Sequence, residues 1–197
     1  MAVLVASGSG CAVGDAPRPA SAPPEEASGA ASAQVAARVG SVVPEPPTRI
    51  QLPDGTTVRI RAVGTTHNGL LDVPANIRVA GWWSGGSRLG DPFGSTLLAA
   101  HVDSRTQGLG PFAGLLTVRP GGRLKVWSAG LEQTFAVTAR RLRPQRPIGP
   151  GSGLYSPEGP RRLTLVTCAG PYDATRGGYQ NLAVVVAEPV GVPVERR

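Results

Sequence analysis

Cys168 and His101 are the two side chains of this sequence best suited to act together on a carbonyl group. Cysteine and histidine each occur only twice, and Cys168 is the sole cysteine outside the N-terminal tail. It closes the run Arg162-Leu163-Thr164-Leu165-Val166-Thr167-Cys168, which alternates as a half-buried strand does. His101 closes a second apolar run, Ser95-Thr96-Leu97-Leu98-Ala99-Ala100, sixty-seven residues earlier. Two strands that each deliver half of a thiol/imidazole pair predict a cysteine nucleophile with a histidine partner, and acyl transfer as the reaction. A thiol at its usual pKa of ~8.5 is about one-tenth thiolate near neutral pH. With an imidazole near ~6.5, thiolate and imidazolium coexist in about 1% of molecules around pH 7.5. Cys168 is therefore the expected nucleophile. His101 is the expected general acid toward the leaving amine and base toward the incoming one.

Other fates of these residues carry less. A lone cysteine is often a small buried hydrophobe, but Cys168 ends its strand in concert with His101. A disulfide between Cys11 and Cys168 would tie the strand to a tail with no structure-forming pattern. Two histidines and one cysteine outside that tail do not make an ordinary zinc site, and Asp54, Asp72, Asp91 and Asp103 are too scattered for calcium. No metal or cofactor is expected. His67, in Thr65-Thr66-His67-Asn68-Gly69, reads as a turn residue. Asp103 leaves an extended segment on the same side as His101, two residues earlier. It is placed either to accept a hydrogen bond from the imidazole or to bind a backbone amide in the turn that follows.

The elements that must hold this pair are strands. Short β-like runs cover Arg49–Leu52, Thr57–Ala62, Leu97–His101, Arg123–Ser128, Thr134–Arg141, Arg162–Cys168 and Leu182–Ala187. Turn signals separate them at Asp54-Gly55, Gly85-Gly86, Pro120-Gly121-Gly122 and Gly149-Pro150-Gly151. Helical periodicity is weak, and a short turn near Pro111–Leu116 is its best candidate. Many strands with tight turns and almost no helix predict an all-β domain, a closed barrel or a sandwich. Two cysteines are too few for a disulfide scaffold, so apolar burial must supply the core.

Residues 1–47 differ in texture. Residues 12–47 are rich in Ala, Pro, Ser and Gly and read as a flexible, disordered spacer, so that 1–47 together are expected to be a truncated export or anchor remnant and linker. The domain expected after them spans 48–190, with 191–197 as a C-terminal tail. The opening Met1-Ala2-Val3-Leu4-Val5-Ala6 is like the end of an export signal without its basic flank. Cys11 after Gly8-Ser9-Gly10 is like a lipoprotein site without its branched residue. Either an upstream segment precedes this reading frame or these residues are the mature start. No apolar stretch reaches the ~20 residues of a membrane-spanning helix.

The 197 residues carry a net charge of +7, with nineteen arginines and one lysine, Lys125. A basic domain favours anionic surroundings such as nucleic acid, anionic lipid or a cell envelope. The arginines are scattered, with Arg140-Arg141-Leu142-Arg143 the one tight group, and no aromatic platform is interleaved with them. Nucleic acid is therefore not the expected partner.

Thr164-Leu165-Val166-Thr167-Cys168 resembles the Thr-Leu-x-Thr-Cys signature of sortases, the cysteine transpeptidases of Gram-positive surfaces. Ala100-His101-Val102-Asp103-Ser104 is similar to the histidine segment of the actinobacterial class F or E enzymes. The likeness continues through Leu71-Asp72-Val73-Pro74, Val79-Ala80-Gly81-Trp82-Trp83-Ser84-Gly85-Gly86 and Gly110-Pro111-Phe112, over about residues 48–190. The resemblance implies a closed eight-stranded β-barrel with short helices and turns, and Cys168 and His101 at the ends of adjacent strands. It implies cleavage of a Leu-Pro-x-Thr-Gly-type sorting signal through a thioacyl intermediate. A cell-wall precursor or pilin amine would then resolve that intermediate. The implied enzyme is secreted and monomeric, acts at the extracellular face of the membrane or in the cell wall, and is tethered through a missing or N-terminal segment. Of Trp82 and Trp83, one is expected in the core and the other is free to border the peptide groove.

The sequence departs from the family at the third catalytic element. An arginine on the strand after the cysteine is expected about twelve residues on, and that position here is Gln180, in Tyr179-Gln180-Asn181-Leu182. The nearest arginine is Arg176, in Asp173-Ala174-Thr175-Arg176-Gly177-Gly178. Arg176 is the preferred donor to the oxyanion. The alternatives are Gln180 as a neutral donor, or a slower enzyme, since a lost donor costs about 2.7–4 kcal/mol. L,D-transpeptidases carry a Ser-His-Gly-Cys signature that Val166-Thr167-Cys168-Ala169 lacks. The other rival is a catalytically weakened barrel that binds sorting-signal peptide or wall polymer without efficient turnover.

Overall fold

In the segment Arg123–Trp127 every second residue is apolar, and Leu124 and Val126 are buried while Arg123 is exposed. The same period puts Val58 and Ile60 inward along Thr57–Val63. A computed structural model describes residues 42–67, 70–145 and 154–196. Among these residues the strands are β1 (Arg49–Gln51), β2 (Thr57–Val63), β3 (Val79–Trp83), β4 (Ser95–Ala99), β5 (Asp103–Ser104), β6 (Gly108–Leu109), β7 (Arg123–Trp127), β8 (Leu131–Pro144), β9 (Arg162–Asp173) and β10 (Gly178–Glu195). Two 3-10 helices, Pro111–Leu116 and Ala174–Arg176, complete the set. The first begins with proline at the position where its missing N–H costs nothing.

Eight strands close into a barrel in the order β1-β2-β3-β4-β9-β10-β8-β7, and β5 and β6 pair separately. The β2–β3 and β4–β9 pairs are parallel. The other barrel pairs are antiparallel. The barrel interior is filled by Phe112, Phe135, Leu98, Leu163, Leu165 and their neighbours. A second apolar cluster, built on Leu97, Ala99, Leu154, Val166 and Val184, is distinct from it. β4 and β9 therefore contribute to both clusters from alternate residues. This is why Leu97-Leu98-Ala99-Ala100 is continuously apolar, as a strand buried on both faces must be.

The register of β4 against β9 is fixed at its start by Gly94. This residue has φ +78°, and a Cβ there would fall 2.3 Å from the Pro157 carbonyl oxygen, so only glycine fits. Its N–H donates to Gly159 O at 2.9 Å, and its carbonyl accepts from Arg162 N at 2.9 Å. The ladder then pairs Leu97 with Thr164 and Ala99 with Val166.

The barrel extends past the expected C-terminal boundary, and residues before the expected N-terminal one pack onto it. Glu45 pairs with Leu89 and its carboxylate accepts from Gly130 N at 2.7 Å, which ties residues before 48 to the β7–β8 turn. Residues 191–195, expected as tail, continue β10, because Val194 and Glu195 pair with Glu132 and Leu131 of β8. β3 was not among the expected strands. Residues 1–41, with Cys11, the spacer and the export-like start, and the turn at 149–151 lie outside the described residues.

Candidate active site

β4 and β9 run side by side and in the same direction, so residues level in register project to the same side. Ser95 and Thr164, offset by two positions in register but on one face, bring their hydroxyls to 2.7 Å. Beyond the last paired residue two bonds keep the strands together. Ala100 N donates to Val166 O at 3.2 Å. The buried Thr167 hydroxyl donates to Ala100 O at 2.8 Å. The same register carried two residues further sets His101 level with Cys168. Both side chains are half-buried and line one groove of about 640 Å³. Leu97, Ala99, Val166 and Leu182 give that groove an apolar floor, and Leu70, Leu71 and Val73 of the β2–β3 connection give it a wall. Tyr155 lines the groove too, with Trp83 packed edge-on behind it at 4.7 Å. Trp82 faces the interior, 4% exposed, and its indole donates to Ser87 O. Trp82 thus belongs to the core, while Trp83 packs against the second apolar cluster and backs the groove through Tyr155 without lining it.

The surroundings of Cys168 hold its proton. Burial, and then the negative charge of Asp103, push the thiol above its ordinary pKa. Asp103 does not act as either expectation had it. It begins the β5–β6 hairpin, and its carboxylate accepts the Tyr179 hydroxyl at 2.6 Å. That hydrogen bond to Asp103, with burial and the carboxylate's charge added, pushes the Tyr179 phenol up to about 12. Among the described residues the Asp103 carboxylate has no imidazole partner, and the turn after it is closed by the Ser104 hydroxyl accepting from Thr106 N. Tyr179 also meets Tyr172 edge-to-face at 5.1 Å. The phenol links the start of β10 to the segment carrying His101 and is a site component missed in the sequence. Nothing local marks Tyr179, because its partner lies seventy-six residues away.

Arg176 is not drawn into this arrangement. It ends the 3-10 helix between β9 and β10, with Nε 3.2 Å from Asp173 Oδ2 and its side chain 65% exposed, and it does not line the groove. Asp173 caps that helix by accepting from Thr175 N at 2.9 Å. Gln180 lies opposite a register shift between β9 and β10, and its amide donates to Gly178 O at 2.7 Å and Arg176 O at 3.5 Å. His67 sits in a turn and does not line the groove. Among the described residues no three His, Cys, Asp or Glu side chains gather as metal ligands, and no helix is long and apolar enough to cross a membrane.

A family model described as a sortase domain matches residues 52–190, most of the chain. The chain belongs to the sortase family. Sortases are cell-envelope enzymes, and membership gives this chain a sortase-type function. No curated protein matches the sequence significantly. Solved sortases share the barrel at low identity. The SrtA sortase from Actinomyces oris is 21% identical, with a TM-score of 0.57 over 81% of this chain and 91% of that one. Sortase A from Listeria monocytogenes is 17% identical, with a TM-score of 0.56 over 79% and 92%. Sortase E1 from Streptomyces coelicolor, solved with a tripeptide in its active site, is 17% identical, with a TM-score of 0.53 over 77% and 91%. At these identities the likeness speaks for the sortase fold.

Proposed function

We propose that this sortase domain is a cysteine transpeptidase that cleaves a Leu-Pro-x-Thr-Gly-like sorting signal between Thr and Gly and transfers the acyl group to a cell-envelope amine. The observation that carries this reading is the level placement of His101 and Cys168 on one apolar-floored groove. In the proposed reaction the Cys168 proton passes to His101 as sulfur attacks the threonine carbonyl carbon. The imidazolium then protonates the leaving glycine nitrogen, the C–N bond breaks and a thioester remains. An amine attacks the thioester and gives its proton to His101. The C–S bond breaks, and the same proton returns to sulfur. The apolar floor suits the Leu-Pro pair of the signal, and it keeps water from the thioester while the amine arrives.

Arg176 is the proposed donor to the developing oxyanion. Gln180 already uses its amide hydrogens on two carbonyls. Arg176 is held by an exposed, solvent-screened ion pair, a weak contact, so its release toward a bound substrate is cheap. The segment Ala100-His101-Val102-Asp103-Ser104 supports a class F or E assignment within the family, and a secreted enzyme of a Gram-positive cell wall. The test is to incubate the protein with a fluorogenic sorting-signal peptide and a glycine-based amine. A ligated product that vanishes in Cys168→Ala and His101→Ala supports the reading. Tight peptide binding without cleavage at any pH would instead make the protein a weakened, peptide-binding barrel.

A further inference from the structure

The side of the barrel away from Cys168 carries an unneutralised band of arginine. β1 lies four strands from β9 in either direction around the ring of eight, so its outer surface is diametrically opposite the groove strand. On this surface Arg49 stands directly across from Arg59. Like charges placed so repel unless an anion lies between or over them. Arg61 continues the row on β2, and Lys125 and Arg123 continue it on β7, beside Gln51 and beyond. The band crosses three strands, about 10 Å wide and about 20 Å long. Trp127, level with Arg49, lies under it, with the Arg49 guanidinium 5.3 Å and the Lys125 ammonium 5.9 Å from its ring. One ion pair occurs here among the described residues, Lys125 Nζ to Glu132 Oε1 at 3.6 Å. Among the described residues Arg49, Arg59, Arg61 and Arg123 have no carboxylate within ion-pair distance. Glu132 on β8, level with Trp127, accepts the indole N–H at 3.1 Å as well as pairing with Lys125, and so closes the band on its β8 side. Glu188 lies on β10, one strand beyond β8, and Asp54 lies in the β1–β2 turn.

The shape selects among polyanions. The band is an unwalled outer barrel surface with a single tryptophan, whereas single-stranded nucleic acid is held by a walled groove with a row of stacking rings. Cations spread over a broad face match an anion array that is itself broad. An indole among them matches the headgroup layer, where tryptophan is enriched. Arg59 and Arg61 also line a cleft of about 540 Å³ with Asn76, roomy enough for a headgroup phosphate. We propose that the β2–β1–β7 face docks on an anionic phospholipid surface and so turns the Cys168 groove away from the bilayer.

The test uses the full chain and vesicles of phosphatidylcholine, with or without one lipid in three as phosphatidylglycerol. Each basic side chain held near such a surface strengthens binding about fivefold. Wild type is expected to sediment with the anionic vesicles alone, and R49Q/R59Q/R61Q to bind roughly a hundredfold more weakly. R140Q/R141Q/R143Q removes the same charge from exposed positions on β8 and is expected to bind as wild type does. R61Q/R123Q, two exposed arginines on different strands, gives a second reading if the triple variant melts early. Equal weakening by the two triple variants would reduce the effect to net charge and overturn the proposal. So would absence of binding by wild type. Retention on soluble polyphosphate that depends on Arg49, Arg59 and Arg61, while vesicles are ignored, would overturn the lipid in favour of a soluble phosphate polymer.

Discussion

Cys168 binds its proton more tightly than a free cysteine, because its surroundings exclude water and Asp103 adds negative charge. The thiol is therefore protonated at neutral pH, and the proposed attack requires the imidazole to receive the proton as the bond forms. Peptide-resolved alkylation of Cys168 by iodoacetamide, followed against pH, should show a midpoint above that of a free thiol. Asp103→Asn should move that midpoint down, since it removes one of the two causes, and an unchanged midpoint would show that the carboxylate does not act on the sulfur. At the same scale, Arg176→Ala should lower kcat by about a hundred- to a thousand-fold if its guanidinium reaches the oxyanion. Gln180→Ala should cost far less. The reverse order would move the role to Gln180. The sequence made Cys168 and His101 conspicuous because each is a rare residue closing an apolar run. It could not show that Asp103 serves Tyr179, since that contact joins residues seventy-six positions apart. The Arg176–Asp173 pair is local, three residues apart across one short turn, but spacing alone does not say whether the guanidinium rests there or faces the groove.

At the scale of elements the site depends on β4 staying in register with β9 beyond its last ladder pair. The Thr167 hydroxyl maintains this by closing onto Ala100 O. Thr167→Val keeps the shape and removes the donor. It leaves a buried carbonyl with one partner fewer, at a cost of about 1–3 kcal/mol measured by urea unfolding. Peptide ligation should fall with it, while a wild-type rate in the folded variant would show that His101 is positioned by other means. The strands read correctly from sequence are those with clean alternation, such as β2 and β7, or with an unbroken apolar run, such as β4. β3 escaped because Val79-Ala80-Gly81-Trp82-Trp83 shows neither pattern. Its glycine and paired tryptophans make sense once Trp82 turns inward and Trp83 turns to Tyr155. The far ends of β9 and β10 escaped because Gly170-Pro171 and Pro189-Val190-Gly191 look like breakers, yet they sit in or beside register shifts that a long edge-to-edge pairing accommodates.

For the whole molecule the closed barrel separates two surfaces of different chemistry, an apolar groove on one side and an arginine band on the other. Only the net charge of the band was visible in the sequence, because register decides which arginines share a face. Stability should also carry the imprint of the site. The folded chain keeps the protons of Cys168 and Tyr179 to higher pH than the unfolded chain does. Stability should therefore decline as pH rises through the ordinary thiol and phenol ranges, from about 8.5 upward. Glu45 and Asp173 are held below their usual values, mainly by hydrogen bonds from Ser128 and Thr175 respectively. Their contribution is present above the unfolded carboxylate range and is lost as pH falls below about 4. Urea unfolding across this range should give a plateau between the two limbs. A stability that kept rising past pH 9 would contradict the assignment of the raised groups.

The central claim is that Cys168, with His101 beside it, takes an acyl group from a peptide lying in the groove. Intact-mass spectrometry after mixing with a Leu-Pro-x-Thr-Gly peptide, without added amine and with peptide mapping, reads that event directly. The expected result is a mass increase equal to the Leu-Pro-x-Thr acyl fragment, mapped to Cys168, accumulating in wild type, absent in Cys168→Ala and removed on adding a glycine amine. Cleaved peptide with the acyl group on any other residue, or a groove that binds the peptide and leaves sulfur unmodified, would contradict it.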